Sequence, residues 1–352
     1  MLTRIRLHHV RCFGTVELAL DPVGLTVFTG ANAQGKTTML EAICVLMRLQ
    51  SPRAGSMAEI VRMGESAAAI EGDFDGRLLR VVLGEGRRTV VDGQVVGRTS
   101  AYLRESGLVV WMGNDDIQLV RGGGDGRRRF LDFAASQLVP GYLDALRGYE
   151  RALRARNFLL KSADPDSRQL AAYASQMIVH GEAVTAGRRE LVTRLAPQAA
   201  AAQHEISLAN DTLAIAYADG SPGGLAVALA ASANEERRRR VTVVGPHRDD
   251  LVLELHGMNA SAYASEGQQR TIALALKVAQ ARVLAAASGV WPILLLDDIF
   301  GELDPDRRHR LLAALPADAQ KLATTTSLAW LDPVETGPTK IWKVSAGLLA
   351  AG

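Results

Sequence analysis

The first ninety or so residues are laid out in short alternating segments. IRLHHV, TVELAL, LTVFTG, AAIEGDF and LLRVVLGEG interleave apolar and polar positions or run β-branched residues together, and Gly, Asp or Pro separates them. A period of two is that of a strand with one covered face, so these segments predict strands. From about Asp116 the period lengthens. YLDALRGYERALRARNFLLK and SRQLAAYASQMIVHGEAVTAGRRELVTRLAPQAAAA repeat apolar positions at helical spacing, which predicts long amphipathic helices parted at SADPDS. Pro197 is expected to end or kink the second of them. Strand texture returns at TLAIAYA and VTVVGPHRDDLVLEL. A helix follows YASEGQQR, then comes the apolar run WPILLLDD and a final αβ unit. The pattern predicts an α/β protein of two lobes: a core from residues 1–110 and 266–352, and an inserted, largely helical lobe from 111–265.

The 352 residues exceed the usual size of one domain, and a make-up of 48% hydrophobic and 22% charged residues is ordinary for a globular protein. The two cysteines, Cys12 and Cys44, sit in no CxxC or Cys/His spacing, which points to a reducing cytosol and away from disulfides or zinc. No segment reaches the roughly 18 consecutive apolar residues of a spanning helix, and MLTRIRLHHVRCFG lacks a signal-type apolar run. The expectation is a cytoplasmic protein with no membrane partner. A net charge of +2 excludes a uniformly basic coat, yet basic residues bunch in RRRF at 127–130 and EERRRR at 235–240. Such runs serve as solvated faces at least as often as they serve as nucleic-acid contacts.

GANAQGKT, Gly30 to Thr37, fits G-x-x-x-x-G-K-[ST] between the strand LTVFTG and the helix TTMLEAICVLM, the context a phosphate-binding loop requires. Gly30 and Gly35 let the backbone wrap phosphates, with Ala31, Asn32, Ala33 and Gln34 between them. The N–H groups from Ala33 to Thr38 then face the anion at the positive end of a helix. Lys36 reaches the β/γ-phosphates and the Thr37 hydroxyl ligates Mg2+, so ATP and Mg2+ are the expected cofactors. WPILLLDD supplies the complement: Asp297 to hold Mg2+ and Asp298 to orient an attacking water. Further on, Asp304 or Asp306 in ELDPDRR fits a helix cap.

SEGQQR makes a second anion-binding helix start, with Ser265, Gly267 and Gln268 at its head. The chain already has a complete site for its own phosphates. A second γ-phosphate contact is useful if it meets nucleotide held by another protomer. Two copies, head to tail, bury two ATP molecules and couple hydrolysis to assembly. Ser265 as a plain N-cap is compatible with that role.

The set GANAQGKT, SEGQQR, LLLDD and ELD resembles the ABC-type ATPase head of SMC and RecF proteins. RGGGDGRRRFLD, YERALRARNFLLK, VVGPHRDDL and SEGQQRTIALALK resemble the RecF recombination mediators in particular, and the likeness runs from the first strand to about Arg310. It implies an ABC-type head with an inserted helical lobe, and an ATPase that dimerises on ATP and binds duplex, gapped or junction DNA without sequence preference. It also implies action with RecR, and with RecO in the wider pathway, to help load RecA. Carried over, Lys36 and Thr37 serve ATP and Mg2+, Asp297 serves Mg2+, and Ser265 to Gln269 serve the partner's nucleotide. Arg11, in HHVRCFG, resembles an arginine that related heads direct at nucleotide; a surface strand position explains it equally well.

Departures stand beside the likeness. Asp298 takes a position where many ABC-type ATPases have Glu, which fits slow hydrolysis. MGNDD at 112–116 replaces a common Pro-Glu-Asp run, so no role carries over to Asp115 or Asp116. Thr324 to Thr326 stand where a switch histidine is expected. His247, Arg248 and Asp249 of GPHRDD either reach across a dimer or lock a loop locally. Two other readings remain open here: a DNA clamp for which ATP is interfacial glue, and an ABC-type head of a defence or nuclease system. The latter calls for a nuclease-like carboxylate cluster, and none follows residue 310. Asp298→Asn separates turnover from the clamp, because only a turnover-dependent protein loses repair while keeping DNA binding.

Overall fold

Alternation becomes strand where it is regular, and the exceptions have local causes. The computed structural model describes residues 1–162, 164–332 and 336–352. It opens with β1 (Leu2–Val10), β2 (Phe13–Ala19), β3 (Gly24–Thr29) and the helix α1 (Lys36–Arg48). β4 (Ala68–Phe74), β5 (Arg77–Leu83), β6 (Arg87–Val91), β7 (Gln94–Val95), α2 (Thr99–Glu105) and β8 (Val109–Gly113) follow. One antiparallel sheet has the order β2-β1-β4-β5-β6-β7. In β1, Leu2, Ile5, Leu7 and Val10 are buried while Thr3 and His8 face outward. A register shift between Leu2 and Arg4 lets Leu2 join the covered side.

Next come α3 (Gln118–Arg121), α4 (Gly124–Leu138), α5 (Tyr142–Leu160), α6 (Ser167–Ile206), β9 (Leu213–Ala218) and α7 (Leu225–Arg239). They are followed by β10 (Asp250–Leu255), β11 (Met258–Asn259), α8 (Ala260–Tyr263) and α9 (Glu266–Ser288). β11-β10-β9 form a small antiparallel sheet. One sequence expectation narrows and another changes. Pro197 does not end α6, which runs on to Ile206. Leu195, Ala199, Ala202 and Ile206 are all fully buried at helical spacing, so packing carries the helix past the missing N–H. VTVVGPHR is not strand, because Gly245 at φ 120 turns the chain into a short 3-10 turn and pairing starts only at Asp250.

The chain ends in β12 (Ile293–Asp297), α10 (Pro305–Ala314), β13 (Gln320–Thr325), β14 (Thr339–Ser345) and β15 (Leu348–Ala351). The second large sheet has the order β15-β14-β3-β13-β12-β8. Every pair from β14 to β8 is parallel, and β15 closes the edge as an antiparallel hairpin. Strands covered on both faces need continuous apolar sequence, and β12 and β13 are buried almost throughout. α1 packs on β8, β12 and β13 and also on β1, β4 and β5. Each residue from Met39 to Met47 is buried, as in a helix covered all round. Full burial is worth roughly 1.5–3 kcal/mol for a large apolar side chain. α1 is therefore held mainly by its surroundings.

The chain resolves into two units, Met1–Asp116 with His204–Asn210 and Lys277–Gly352, and Ile117–Gln203 with Asp211–Leu276. The first boundary falls after residue 110 because Val109–Gly113 is a strand of the first unit's parallel sheet, paired with β12. By length and composition alone α9 passes for a membrane span, which the sequence reading did not find. However, 72% of that stretch is buried inside the protein, so α9 is a core helix.

Candidate nucleotide site

The loop between β3 and α1 takes a path open to few side chains. Gly30 has φ 153, Ala33 φ 62 and Gly35 φ 112. A Cβ on Gly30 would meet the Val344 carbonyl oxygen at 2.3 Å, and one on Gly35 would meet Cys12 Sγ at 2.6 Å. Glycine is required at both places, for conformation and for space. The β14–β15 turn braces the loop's apex: Ala346 N–H donates to Gln34 Oε1 at 2.7 Å and Gly347 N–H to the Gln34 carbonyl at 3.3 Å. Asn32 accepts from Gln34 Nε2 through its carbonyl at 3.3 Å. Lys36 Nζ donates to the carbonyls of Gly30 and Ala31, both at 2.8 Å, so the ammonium lies inside the loop's curl. Burial lowers its pKa, opposed by the carboxylates of Asp298 and Asp297. Thr38 is buried one residue beyond Thr37.

The parallel sheet brings three strand ends to this loop. Thr37 Oγ1 and Thr324 Oγ1 both donate to Asp297 Oδ1, each at 2.7 Å. Thr324 sits directly across from Asp297 in the β12–β13 register. Its hydroxyl also accepts from Asp298 N–H at 2.9 Å. Asp298 has φ 53, which turns its side chain out of the strand. Burial raises its pKa, helped by Asp297 and Glu302, while Lys36 and a backbone hydrogen bond at Thr326 pull the other way. Among the described residues, Asp298 Oδ1 is buried without a hydrogen-bond partner. A hydroxyl and a carboxylate at the head of a glycine-lined loop are hard oxygen donors of the kind Mg2+ takes. An unpartnered carboxylate oxygen beside them is what a water-orienting group requires. The residues fit Mg2+ and a nucleotide.

In the second unit, Ser265 and Gln268 form a reciprocal cap on α9. Gln268 N–H donates to Ser265 Oγ at 3.3 Å and Ser265 N–H to Gln268 Oε1 at 2.9 Å. Gln268 Nε2 reaches Asp211 at 3.2 Å, and Gln269 Oε1 accepts from Arg121 at 2.5 Å. Gly267 accepts from the Thr271 hydroxyl at 2.9 Å. The helix start is a built cap whose glutamines are held from behind.

A family model described as an AAA domain matches residues 4–86. The DNA replication and repair protein RecF of Anaeromyxobacter dehalogenans (strain 2CP-C) is 40% identical over 372 residues, covering 99% of this chain and 98% of that protein. The chain belongs to the RecF family. RecF of Symbiobacterium thermophilum is 37% identical, over 93% of this chain and 92% of its own. The recombination mediator protein RecF of the RecFOR pathway, solved as RecF-ATP, matches with a TM-score of 0.89 at 26% identity, covering 100% of this chain and 97% of that one. An Smc head bound to the C-winged helix domain of ScpA shares the fold, with a TM-score of 0.57 at 13% identity over 100% of this chain and 96% of that one. The likeness to RecF carried by the motifs thus holds, as does the α/β ABC-type ATPase head.

The stretches that carried the resemblance to RecF meet elsewhere in the second unit. Arg188, 3% exposed, donates to Asp132 at 2.8 and 3.0 Å, to the fully buried Asp249 at 2.8 Å and to the Pro246 carbonyl at 2.6 Å. Tyr217 and the Gly220 N–H also donate to Asp249. His247 lies between Tyr149 OH at 2.6 Å and the Thr242 carbonyl at 3.1 Å. His247 and Asp249 therefore lock their loop within this protomer, while Arg248 is exposed. The arginine runs divide too. Arg127 forks onto Asp250 at 2.6 and 2.7 Å, and Arg128 holds Asp125 and the Asp249 carbonyl. Both are structural. Arg129 and Arg237 to Arg240 are exposed, the latter at the end of α7, where the helix dipole favours cations.

Other candidates are committed locally. Arg11 Nε lies 2.7 Å from Glu41, which is 1% exposed on α1, and its Nη2 lies 2.9 Å away. Asp304 caps α10 through Arg307 N–H at 2.9 Å. Asp115 is exposed, whereas Asp116 accepts from Gly113 N–H at 2.8 Å and pairs with Lys277 at 2.7 Å. Asn114 is a residue to which the sequence reading assigned no role, and Thr324 one that it named only where a switch histidine is expected. For Thr324 the signal was a polar run closing a buried strand parallel to LLLDD.

Proposed function

We propose that this RecF-family chain is an ATPase that dimerises on ATP, binds duplex or gapped DNA, and works with RecR and RecO to help load RecA. The convergence of Thr37, Thr324 and Asp297 carries the reading, since it joins the phosphate loop to the acidic strand end at hydrogen-bond distance. Backbone N–H groups from Ala33 to Thr38 hold the phosphates, and the Lys36 ammonium swings from the Gly30 and Ala31 carbonyls to the β/γ-oxygens. Thr37 and Asp297 would hold Mg2+, which would neutralise charge on the transferring phosphoryl group. Asp298 aligns water with the γ-phosphorus and its carboxylate takes the proton as the P–O bond to ADP breaks. Its reach is shorter than that of a glutamate, so turnover is slow.

Ser265 and Gly267 of a second copy complete the γ-phosphate shell, so each site needs two protomers. DNA contacts fall to Arg129 and to Arg237 to Arg240, the members of the two arginine runs left facing solvent. With aromatics at 5%, backbone contact with duplex suits the chain better than base stacking. The test is ATP hydrolysis per protomer against protein concentration, with and without duplex DNA, for the parent and Ser265→Arg. A specific rate that climbs with concentration and DNA, and is flat in a variant that still binds ATP, supports the composite site. A constant, DNA-indifferent rate with a parent-like variant overturns it.

A further inference from the structure

Asp298 keeps its left-handed backbone because side chains grip its peptide from both sides. Thr324 Oγ1, at the end of β13, accepts from Asp298 N–H at 2.9 Å. Asn114 Nδ2, in the turn after β8, donates to the Asp298 carbonyl at 3.2 Å. The two strands flanking β12 thus supply one grip each. Asn114 is exposed, so packing does not fix it. Its turn is fixed by Asp116, whose carboxylate takes Gly113 N–H at 2.8 Å and Lys277 Nζ at 2.7 Å. The Asp116 and Lys277 side chains are only 16% and 10% exposed, so this pair is not a loose surface contact. Gly113, which precedes Asn114, stands opposite Asp297 in the β8–β12 register. The chain of contacts runs from α9 through Lys277, Asp116 and Asn114 to the backbone of Asp298.

We infer that Asn114, Asp116 and Lys277 are positioning residues for hydrolysis: the Asp116–Lys277 pair sets the turn, and Asn114 holds the Asp298 peptide so that its carboxylate is aimed at the attacking water. None of the three touches substrate in this scheme. It rests on the ATPase reading, in which Asp298 orients that water. A merely structural role would lower stability and nucleotide affinity along with the rate. A positioning role lowers kcat alone.

The experiment uses the full chain and measures hydrolysis at saturating ATP, affinity for a fluorescent ATP analogue, and Tm. Asn114→Asp preserves shape, removes the donor and lies on the surface, so it folds. It is expected to lower kcat by about tenfold or more while analogue affinity stays within about twofold and Tm is unchanged. Asp116→Asn and Lys277→Met should each lower kcat. Their combination should be no worse than the poorer single variant, because both act through one turn. Lys277→Arg, which keeps the charge, should recover part of the rate. Parental kcat in Asn114→Asp, affinity falling in step with kcat, or additive losses in the double variant would overturn the inference. A parent whose hydrolysis is absent, or unchanged by Lys36→Ala, would sink the ATPase reading and this inference with it.

Discussion

Thr37 and Asp297 are 260 residues apart in the chain and 2.7 Å apart in space. Thr324 donates to the same Asp297 oxygen, so two hydroxyls fix one carboxylate before any metal is considered. In Thr324→Val the shape is kept, but Asp298 N–H loses its acceptor. Leaving a fully buried donor unsatisfied costs about 1–3 kcal/mol, and this one is part-buried, which puts the loss toward about 1 kcal/mol. Urea unfolding should show a loss of that size, and hydrolysis at saturating ATP should fall with it.

The two roles of Ser265 can be separated by charge. Asp caps a helix as well as Ser does, whereas Ala costs about 1 kcal/mol. Ser265→Asp should therefore hold stability within about 0.5 kcal/mol of the parent. Its carboxylate would repel a neighbour's γ-phosphate and abolish hydrolysis. Parental turnover in Ser265→Asp would leave Ser265 as a cap and nothing more.

Arg188 should be among the costliest positions in the second unit. Arg188→Leu strands Asp249, which has no solvent access, and unbalances Asp132. Breaking a buried pair by removing one partner costs about 3–5 kcal/mol. Arg188→Lys should restore little, because an ammonium cannot reproduce a guanidinium fork across two carboxylates. Chemical denaturation of the three proteins measures both statements.

Acid should loosen the GPHRDD loop. The Thr242 carbonyl can only accept, so His247 Nε2 carries the hydrogen and Nδ1 accepts from Tyr149 OH. The ring is neutral. Burial lowers its pKa, as do Arg248 and Arg128, against the Thr242 carbonyl and Asp249. With the folded value depressed, the unfolded chain binds a proton first. Stability should be full above about pH 6.5, fall as the pH drops below it, and level off once the folded imidazole is also charged. Urea midpoints at successive pH values should show this fall in the parent and a smaller one in His247→Gln.

Sequence made the candidate phosphate loop legible where geometry forces residue type. Gly30 and Gly35 have no alternative once Val344 O and Cys12 Sγ press on them, and Asp297 ends a strand whose burial demands LLL before it. Sequence revealed least where the answer depended on partners. Arg127 and Arg129 belong to one run, yet Arg127 is locked to Asp250 while Arg129 faces solvent. The local pattern holds no trace of an aspartate 123 residues away. Pro197 does not stop α6 for a related reason: a broken hydrogen bond is a local cost, and the buried residues that outweigh it lie on either side.

The phosphate loop has a history written into its neighbours. β3 lies between β13 and β14, and Gly30 and Gln34 rest against Val344, Ala346 and Gly347. A ribosome makes the loop early and its walls only with residues 320–347. During most of synthesis the nascent chain carries the whole motif without the strands that brace it. The bracing contacts from Val344, Ala346 and Gly347 can form only after translation has passed those strands.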